Sequence, residues 1–500
     1  MNSPQNSAGE VASDLWNADL GPTGPEERTW NWLNIASLWT SMVVCVPAYL
    51  LASGMIQQGM TWWQAVLTVL LGNVIILFPM MLNGHAGAKY GVPFPVLLRA
   101  SFGTRGAKVP ALLRGFVACG WFGIQTWVGG FAIYQIVNAV SGGAFVGNDL
   151  PFLGIDTAQL MCFLGFWALQ VAFIAKGTES IRWLETLAAP FLLMSAIGLL
   201  AWALITADGL GEMVSKPSAF VEGGAREGQF WNVFWPSLTA MVGFWSTMTL
   251  NIPDFTRYAK SQKDQFIGQA LGLPIPMALL GIVSVFVTSA TVLIFGEAIW
   301  DPVNIAGRMG GTGVVIGLIA LAFATLTTNL AANVVAPANG FSNLSPKKIS
   351  FKLGGYITAG IGIAIMPWKL MESASAYLFI WLVGYSSLLG PIAGIMITDY
   401  LFVRKTRLNV AHFYRENGIY SYSNGWNKVA FIAFLLAVAP NVPGFLHAAG
   451  ALDSVPAIFD SIYQYAWFVG AFLGSGIYYL LMDTQQAFEQ DTALQTEAAG

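Results

Sequence analysis

The sequence predicts an all-α polytopic membrane protein with twelve transmembrane helices, and its composition is the first observation behind this prediction. Of the 500 residues, 55% are hydrophobic and only 10% are charged, whereas a soluble domain carries about 25% charged residues. The formal net charge of -3 gives no support for nucleic-acid binding. We therefore expect membrane lipid to surround most of the chain.

The second observation is the number and polarity of the apolar segments. Windows of about 20 apolar residues, long enough to cross a bilayer, fall at 33–57, 62–83, 109–139, 157–175, 183–206, 231–252, 268–296, 312–337, 353–368, 374–401, 427–446 and 459–482. With a cytoplasmic N-terminus, the Lys and Arg residues outside the cytoplasmic segments are Lys216, Arg226, Arg308 and Lys369, out of 23. The positive-inside rule then predicts an inner or plasma membrane protein with both termini in the cytoplasm.

The third observation is that two spans carry helix-breaking residues. Pro47 interrupts the first span, and the sixth contains Gly243 and ends at Pro253. Proline removes a backbone donor and clashes with the preceding turn, so we expect both helices to break. Interrupted spans five apart indicate an inverted repeat of five plus five helices with a binding site at the breaks. The predicted units are a disordered cytoplasmic tail (1–30), two five-helix repeats (31–206 and 207–402), helices eleven and twelve (403–483) and a cytoplasmic C-terminal tail (484–500).

A glutamine stands in the middle of the third span, between two tryptophans. Trp121 and Gln125 are four residues apart, so they share one helix face, whereas Trp127 points elsewhere. An indole offers a flat apolar surface, and a primary amide can both donate and accept hydrogen bonds. This pair is therefore a candidate half of a ligand pocket.

Two further residues are candidates for the other half of this pocket. Trp245 lies close to Gly243 in the sixth span, and Asn333 ends a polar run in the eighth. The two tryptophans could hold a planar ring while the amides bond to its edge. The alternative is that the amides bond between helices and the tryptophans face lipid or the membrane interface. We assign to the latter class Trp62, Trp63, Trp381 and Trp467.

The candidate pocket carries no charge. No Asp, Glu, Lys or Arg falls centrally in spans one, three, six or eight, where a charge costs roughly 2.5–3.5 kcal/mol or more. This favours a neutral, planar small molecule with polar edges over an amino acid, although another small-solute symporter of the same architecture is an alternative. We find no catalytic acid, nucleophile or metal cluster, so the sequence predicts neither an enzyme nor an organic cofactor.

The eighth span also carries a candidate cation site. Ala324, Thr327 and Thr328 place two hydroxyls and a carbonyl where they can bind a hard cation through oxygen. Carbonyls freed by the break in span one, near Ser41 and Val44, could supply the other ligands. The alternative is that the hydroxyls bond to carbonyls of their own helix. The lack of a carboxylate here favours Na+ as coupling ion, while proton coupling stays open through carboxyls near span ends, namely Glu185, Asp254 and Glu372.

Four segments are similar to those of a known family: Trp121–Trp127, Asn251–Tyr258, Thr327–Asn333 and Gly390–Tyr400. The chain resembles the nucleobase–cation symporter-1 family of purine, pyrimidine, hydantoin and allantoin permeases over nearly its whole length. The resemblance implies a LeuT-like inverted repeat and a secondary active symporter that imports allantoin, uracil or another nucleobase, or hydantoin, coupled to Na+ or H+. We expect a monomer.

The resemblance also implies roles for individual positions. The ring is held between tryptophans that match Trp121 and Trp245, with amide contacts from the matches of Gln125 and Asn333. Two substrate-site positions depart from hydantoin-transporting members. Cys45 stands where such members can have a glutamine, and Phe244 replaces a glycine. Both changes remove polar or open surface from the site. In sodium-coupled members the cation lies on the positions that match Ser41, Val44, Ala324, Thr327 and Thr328.

Overall fold

The structure is a computed structural model that describes residues 15–16, 20–176, 194, 196–309, 313–345, 347–485 and 487. The described chain is almost entirely helical. Its one paired sheet is a two-stranded antiparallel hairpin of β1 (Asp149–Leu150) and β2 (Ile155–Asp156).

The helices fall into two sets along the chain. The first set is α1 (Trp32–Val43), α2 (Val46–Gln57), α3 (Trp62–Tyr90), α4 (Phe94–Phe102), α5 (Lys108–Val140), α6 (Thr157–Lys176), α7 (Ala196–Thr206) and α8 (Gly211–Ser215). The second set is α9 (Phe230–Phe244), α10 (Ser246–Asn251), α11 (Pro253–Thr256), α12 (Gln262–Gly272), α13 (Pro274–Phe295), α14 (Pro302–Arg308), α15 (Gly313–Asn333), α16 (Val335–Leu344), α17 (Phe351–Ala364), α18 (Pro367–Leu370), α19 (Val383–Thr398), α20 (Lys428–Val438), α21 (Val442–Ala448), α22 (Ala457–Gln464) and α23 (Ala466–Leu481). Two π-helical segments, Ala376–Leu382 and Asp399–Val403, flank α19.

Six helices of the described chain are long and apolar enough to cross a membrane, and α1 with α2 forms a seventh span bent by 58°. Three shorter apolar helices coincide with the predicted fifth, eighth and twelfth spans. Half of the predicted fifth span lies outside the described residues, which include only α7 and residue 194 of it. The total of twelve spans therefore stays a prediction.

The break in the first span follows from Pro47, which occupies the first turn of α2. Proline has no N–H to donate to the Val43 carbonyl. That carbonyl instead accepts the Cys45 N–H, at 2.8 Å. In a continuous helix the Cys45 N–H would bond to Ser41 O, so the turn releases the Ser41 carbonyl. Val44 and Cys45 have non-helical backbone angles, and the predicted break is present.

The sixth span is interrupted twice. Helix α9 ends at Phe244, and Trp245 separates it from α10 with φ -94° and ψ 5°. A second interruption falls at Ile252, before Pro253 opens α11. Proline therefore accounts only for the second interruption, and the first lies at the tryptophan that the sequence places in the pocket.

Helix α5 is enclosed by its neighbours and packs along α6, α15 and α17. A Cβ added to Gly123 would lie 2.4 Å from the Gly362 carbonyl oxygen of α17, and one added to Gly120 would lie 2.2 Å from the Trp381 ring. Only small residues permit this approach. Our assignment of Trp381 and Trp467 to the lipid-facing or interfacial class is wrong, because the Trp381 ring packs on α5. Trp467 is also buried, at 6% exposure.

The N-terminal residues just before α1 pack against the rest of the chain. Leu20 is buried, the Thr23 N–H donates to Gly91 O at 2.8 Å, and the Trp30 N–H donates to Tyr258 O at 2.9 Å. The prediction of a disordered tail is therefore wrong for residues 20–30. Residues 1–14, 17–19 and most of 484–500 lie outside the described chain.

Buried charges gather around the short helix α4. Asp254 accepts the Phe94 N–H that begins α4, at 2.7 Å. Arg404 forms an ion pair with Asp399, at 2.9 Å between Nε and Oδ2, and also donates to Ala100 O of α4. We call this region the charged layer; it comprises Arg99, Arg114, Asp254, Asp399 and Arg404.

Candidate functional site

A small cavity lies where the breaks of the first and sixth spans face α5 and α15. Its volume is about 40 Å³, room for on the order of one to three waters, so a ring can bind only when the walls separate. We call it the central pocket. Its lining includes every residue predicted for the substrate site: Cys45, Trp121, Gln125, Phe244, Trp245 and Asn333. No charged side chain lines it within the described part of the chain.

The aromatic wall of the central pocket differs from a simple sandwich. Phe244 meets Trp121 edge to face with ring centroids 5.2 Å apart, and it meets Trp245 in the same way at 4.8 Å. Phe244 therefore links the two tryptophans in this conformation. A ring that stacks between Trp121 and Trp245 has to displace the Phe244 side chain or lie beside it.

Trp245 is held from behind by an asparagine that the sequence analysis missed. Its indole Nε1–H donates to Asn73 Oδ1 at 2.9 Å, and Asn73 Nδ2 in turn donates to Val69 O at 2.7 Å. Asn73 is fully buried in α3. It is an isolated amide in an apolar span, which is the same signal that singled out Gln125.

Trp121 is similarly supported by the start of span ten. The rings of Tyr377, Trp381 and Tyr385 surround it at centroid distances of 6.2, 5.8 and 6.2 Å. The Tyr377 hydroxyl also donates to Pro47 O, at 2.8 Å. Span ten thus contacts both Trp121 and the first break, which no pattern in the sequence indicated.

The two predicted amides are in different hydrogen-bonding states. Gln125 is 4% exposed, and its Oε1 has no hydrogen-bond partner among the described residues. Leaving a buried polar atom unsatisfied costs about 1–3 kcal/mol. Asn333, by contrast, donates its Nδ2 to Asn329 Oδ1 at 2.9 Å. The pocket therefore offers an unpaired amide oxygen on α5 and the Oδ1 of Asn333 on α15.

The candidate cation residues lie next to the central pocket. Val44 at the first break packs on Ala324 of α15, which brings the two predicted halves of the site together. The Thr327 hydroxyl donates to Ala324 O at 2.8 Å, and the Ser41 hydroxyl donates to Leu38 O at 2.8 Å. Both hydroxyls thus bond within their own helices, which leaves their oxygen lone pairs available to a cation.

The remaining two features of this region are Thr328 and a second cavity. Thr328 faces the central pocket itself. Across Val44 and Cys45 lies a larger cavity of about 400 Å³ with mainly apolar walls. Cys45 lines both cavities, so the break in span one lies between them.

Comparison with known proteins now identifies the family. A family model described as "Permease for cytosine/purines, uracil, thiamine, allantoin" matches residues 22–470. The chain is 44% identical over 471 residues to the purine-uracil permease NCS1 of Arabidopsis thaliana, which covers 94% of this chain and 78% of that protein. The chain belongs to the nucleobase–cation symporter-1 family. It is also 41% identical to the allantoin permease of Bacillus subtilis, over 95% of this chain and 94% of that protein.

Solved structures agree with this family assignment. Mhp1 in its inward-facing conformation aligns with a TM-score of 0.74 and 26% identity, over 96% of this chain and 98% of that chain. A Na+-coupled sialic acid symporter shares the fold at a TM-score of 0.61 and 13% identity, over 92% of each chain. The predicted family and the LeuT-like inverted-repeat fold are confirmed. This family member is a membrane transporter and not an enzyme.

Proposed function

We propose that this chain imports a neutral cyclic amide through the inner or plasma membrane, as a monomer and by alternating access. The central pocket supports this, because it combines two tryptophans, two amides and no charge. The unpaired Oε1 of Gln125 is the observation that carries the proposal most directly. A ring N–H would satisfy this buried oxygen, whereas the charged groups of an amino acid would find no counter-charge there.

The relatives define the range of substrates. They include the purine-uracil and allantoin permeases and a hydantoin permease of Microbacterium maritypicum, which is 30% identical over 89% of this chain and 88% of that protein. A closed Mhp1 structure with bromovinylhydantoin bound aligns at a TM-score of 0.72 and 25% identity, over 95% of this chain and 100% of that chain. Allantoin, uracil and hydantoin are therefore our candidates. Phe244 favours compact rings because its side chain narrows the pocket, while Cys45 offers no amide contact to the ring.

Sodium is the proposed coupling ion. The oxygen atoms that would hold it come from Ser41, Val44, Ala324, Thr327 and Thr328. The released Ser41 carbonyl and the packing of Val44 on Ala324 support this set, since hard cations prefer oxygen ligands. Bound Na+ would join the first and eighth spans beside the ring.

Proton coupling is the alternative to sodium coupling. Asp254 is largely enclosed at the charged layer, where burial raises its pKa, and Glu372 lines a separate cavity with Asp301. Glu185 lies outside the described residues. Neither described carboxyl lines the central pocket, which favours sodium.

Uptake into proteoliposomes tests both parts of the proposal. We expect uptake of labelled allantoin, uracil or hydantoin to require an inward Na+ gradient and to persist with a protonophore. Gln125→Ala should abolish it, while Gln269→Ala should not, because Gln269 is also buried with an unpaired Oε1 but lies in α12, away from the pocket. Sodium-independent uptake that a protonophore collapses would reject the cation site, and normal uptake by Gln125→Ala would reject the substrate site.

A further inference from the structure

A chain of buried amides runs from Asn333 away from the central pocket. Asn333 Nδ2 donates to Asn329 Oδ1 at 2.9 Å, and Asn329 Nδ2 donates to Gln170 Oε1 at 2.7 Å. Gln170 Nε2 donates to Thr126 Oγ1 at 2.8 Å. Thr126, Gln170 and Asn329 are fully buried. These direct side-chain hydrogen bonds connect α15, α6 and α5.

The backbone carbonyl of Phe122 determines which ends of these amides donate and which accept. It accepts the Thr126 hydroxyl at 2.6 Å and Asn329 Nδ2 at 3.0 Å. A carbonyl can only accept, so the side of the Asn329 amide that faces Phe122 must be its NH2 group. Its Oδ1 then faces Asn333, which can only meet it with Nδ2. The orientation of both amides, which is otherwise ambiguous, is therefore determined.

We propose that Asn329 is a positioning residue that holds the Asn333 amide with its Oδ1 toward the ligand. Asn333 then acts as a hydrogen-bond acceptor and selects rings that present an N–H at this edge. This inference rests on the proposed function and adds to it which partner donates in the hydrogen bond between the ring and Asn333. Gln170 and Thr126 act through Asn329 and need not touch the substrate.

The contrast with Gln125 supports a selective role for Asn333. Nothing in the described structure bonds to Gln125 Oε1, so that amide can turn to suit either a donor or an acceptor. Asn333 cannot turn without breaking its bond to Asn329. One pocket amide is therefore adaptable, while the other is fixed as an acceptor.

Isosteric analogues test this polarity without adding bulk. In 3-oxauracil and oxazolidine-2,4-dione, an oxygen replaces one ring N–H of uracil or hydantoin. We would measure their inhibition of labelled uracil and hydantoin uptake relative to the parent rings. When the ring oxygen of an analogue faces Asn333 Oδ1, neither oxygen receives a hydrogen bond. At least one analogue should therefore inhibit uptake by the wild type about 10–100-fold less well than its parent.

Removal of the positioning residue should reduce this discrimination. In Asn329→Ala the Asn333 amide is free to turn, so we expect analogue and parent to differ by less than about threefold. Asn329→Asp, buried as the neutral acid, keeps an acceptor for Asn333 Nδ2 and an O–H donor for Phe122 O, so it should retain the wild-type ratio. Asn441→Ala, a matched control with another fully buried asparagine outside the pocket, should also retain it. If Asn329→Ala does not fold, Asn329→Leu fills the same volume and should show the same loss.

The outcomes separate the two proposals. If the wild type transports none of the parent rings, the proposed function and this inference both fail. If it transports a parent ring and accepts both oxygen analogues equally well, only the inference fails. It also fails if Asn329→Ala lowers uptake but keeps the full discrimination ratio, since Asn329 would then be merely structural.

Discussion

The central pocket and the charged layer differ in how their buried polar groups are paired. The pocket is uncharged and leaves one amide oxygen unpaired. The charged layer buries Asp399 and Arg404 as an ion pair, at 1% and 2% side-chain exposure. Tyr478 completes it by donating its hydroxyl to Asp399 Oδ1 at 2.7 Å.

The difference shows which polar groups serve stability and which serve binding. A buried charge costs several kcal/mol unless it is paired, so the Asp399–Arg404 pair of the charged layer is stable only while both partners are present. The Gln125 oxygen of the central pocket has no such partner, and its cost persists until a ligand arrives. Variants of the two regions should therefore separate stability from transport.

The largest expected effect is in the charged layer. Asp399→Leu leaves Arg404 buried without its carboxylate and should lower stability by about 3–5 kcal/mol. The double variant Asp399→Leu, Arg404→Leu should recover part of this loss. Thermal unfolding in detergent measures both. A single variant as stable as the wild type would mean that the ion pair is not essential there.

The opposite result is expected for the central pocket. Gln125→Leu replaces an unsatisfied amide with an apolar side chain of similar size, so thermal stability should stay equal or rise by about 1 kcal/mol. Binding of allantoin, uracil or hydantoin should nevertheless weaken by at least roughly 100-fold. Calorimetric titration beside a thermal unfolding curve checks both. A parallel loss of stability and binding would remove the distinction between the regions.

A smaller effect is expected behind Trp245. Asn73→Leu removes the acceptor of the Trp245 indole N–H, so the ring should lose its fixed orientation. We expect the KM for the transported ring to rise about tenfold, with a modest change in maximal rate. Gln269→Leu serves as control. If KM does not change, packing by Trp39 and Phe244 is sufficient to hold Trp245.

The smallest effect concerns Asp301, which lies outside both regions and caps α14 by accepting the Val303 N–H. Burial raises the pKa of Asp301 to about 6 from its ordinary value of 3.8. The folded state thus binds this proton more tightly than the unfolded state. The resulting stabilisation is complete below about pH 4 and is lost as pH rises through 6. Asp301→Asn should show a smaller decline in melting temperature between pH 4 and 7, and an unchanged decline would contradict the raised pKa.

The sequence was sufficient to predict which residues line the central pocket, because helix breaks and isolated amides are local patterns. Trp121, Gln125, Trp245 and Asn333 lie together as predicted. Gln170 carries the same signal, but its hydrogen-bond partners lie on α5 and α15, and no spacing along the sequence indicates them. The burial of Arg99 and Arg114 has no such local signal, because basic residues near span ends are also typical of cytoplasmic anchors.

Other features depend on tertiary packing that a linear pattern does not contain. The aromatic residues of span ten surround Trp121 only because α5 carries Gly120 beneath Trp381. The position of Phe244 between the two tryptophans depends on where α9 ends. Neither relation has a period or a spacing in the sequence.

The close approach of α5 to its neighbours has a consequence for divergence within the family. Gly120 and Gly123 leave no room for a single added methyl group, so substitutions on these faces require matched changes in span ten or α17. New substrate preferences should therefore arise mainly on the opposing walls, at positions such as Cys45 and Phe244. Helix α5 would change slowly, while the walls that face it adapt to each new ring.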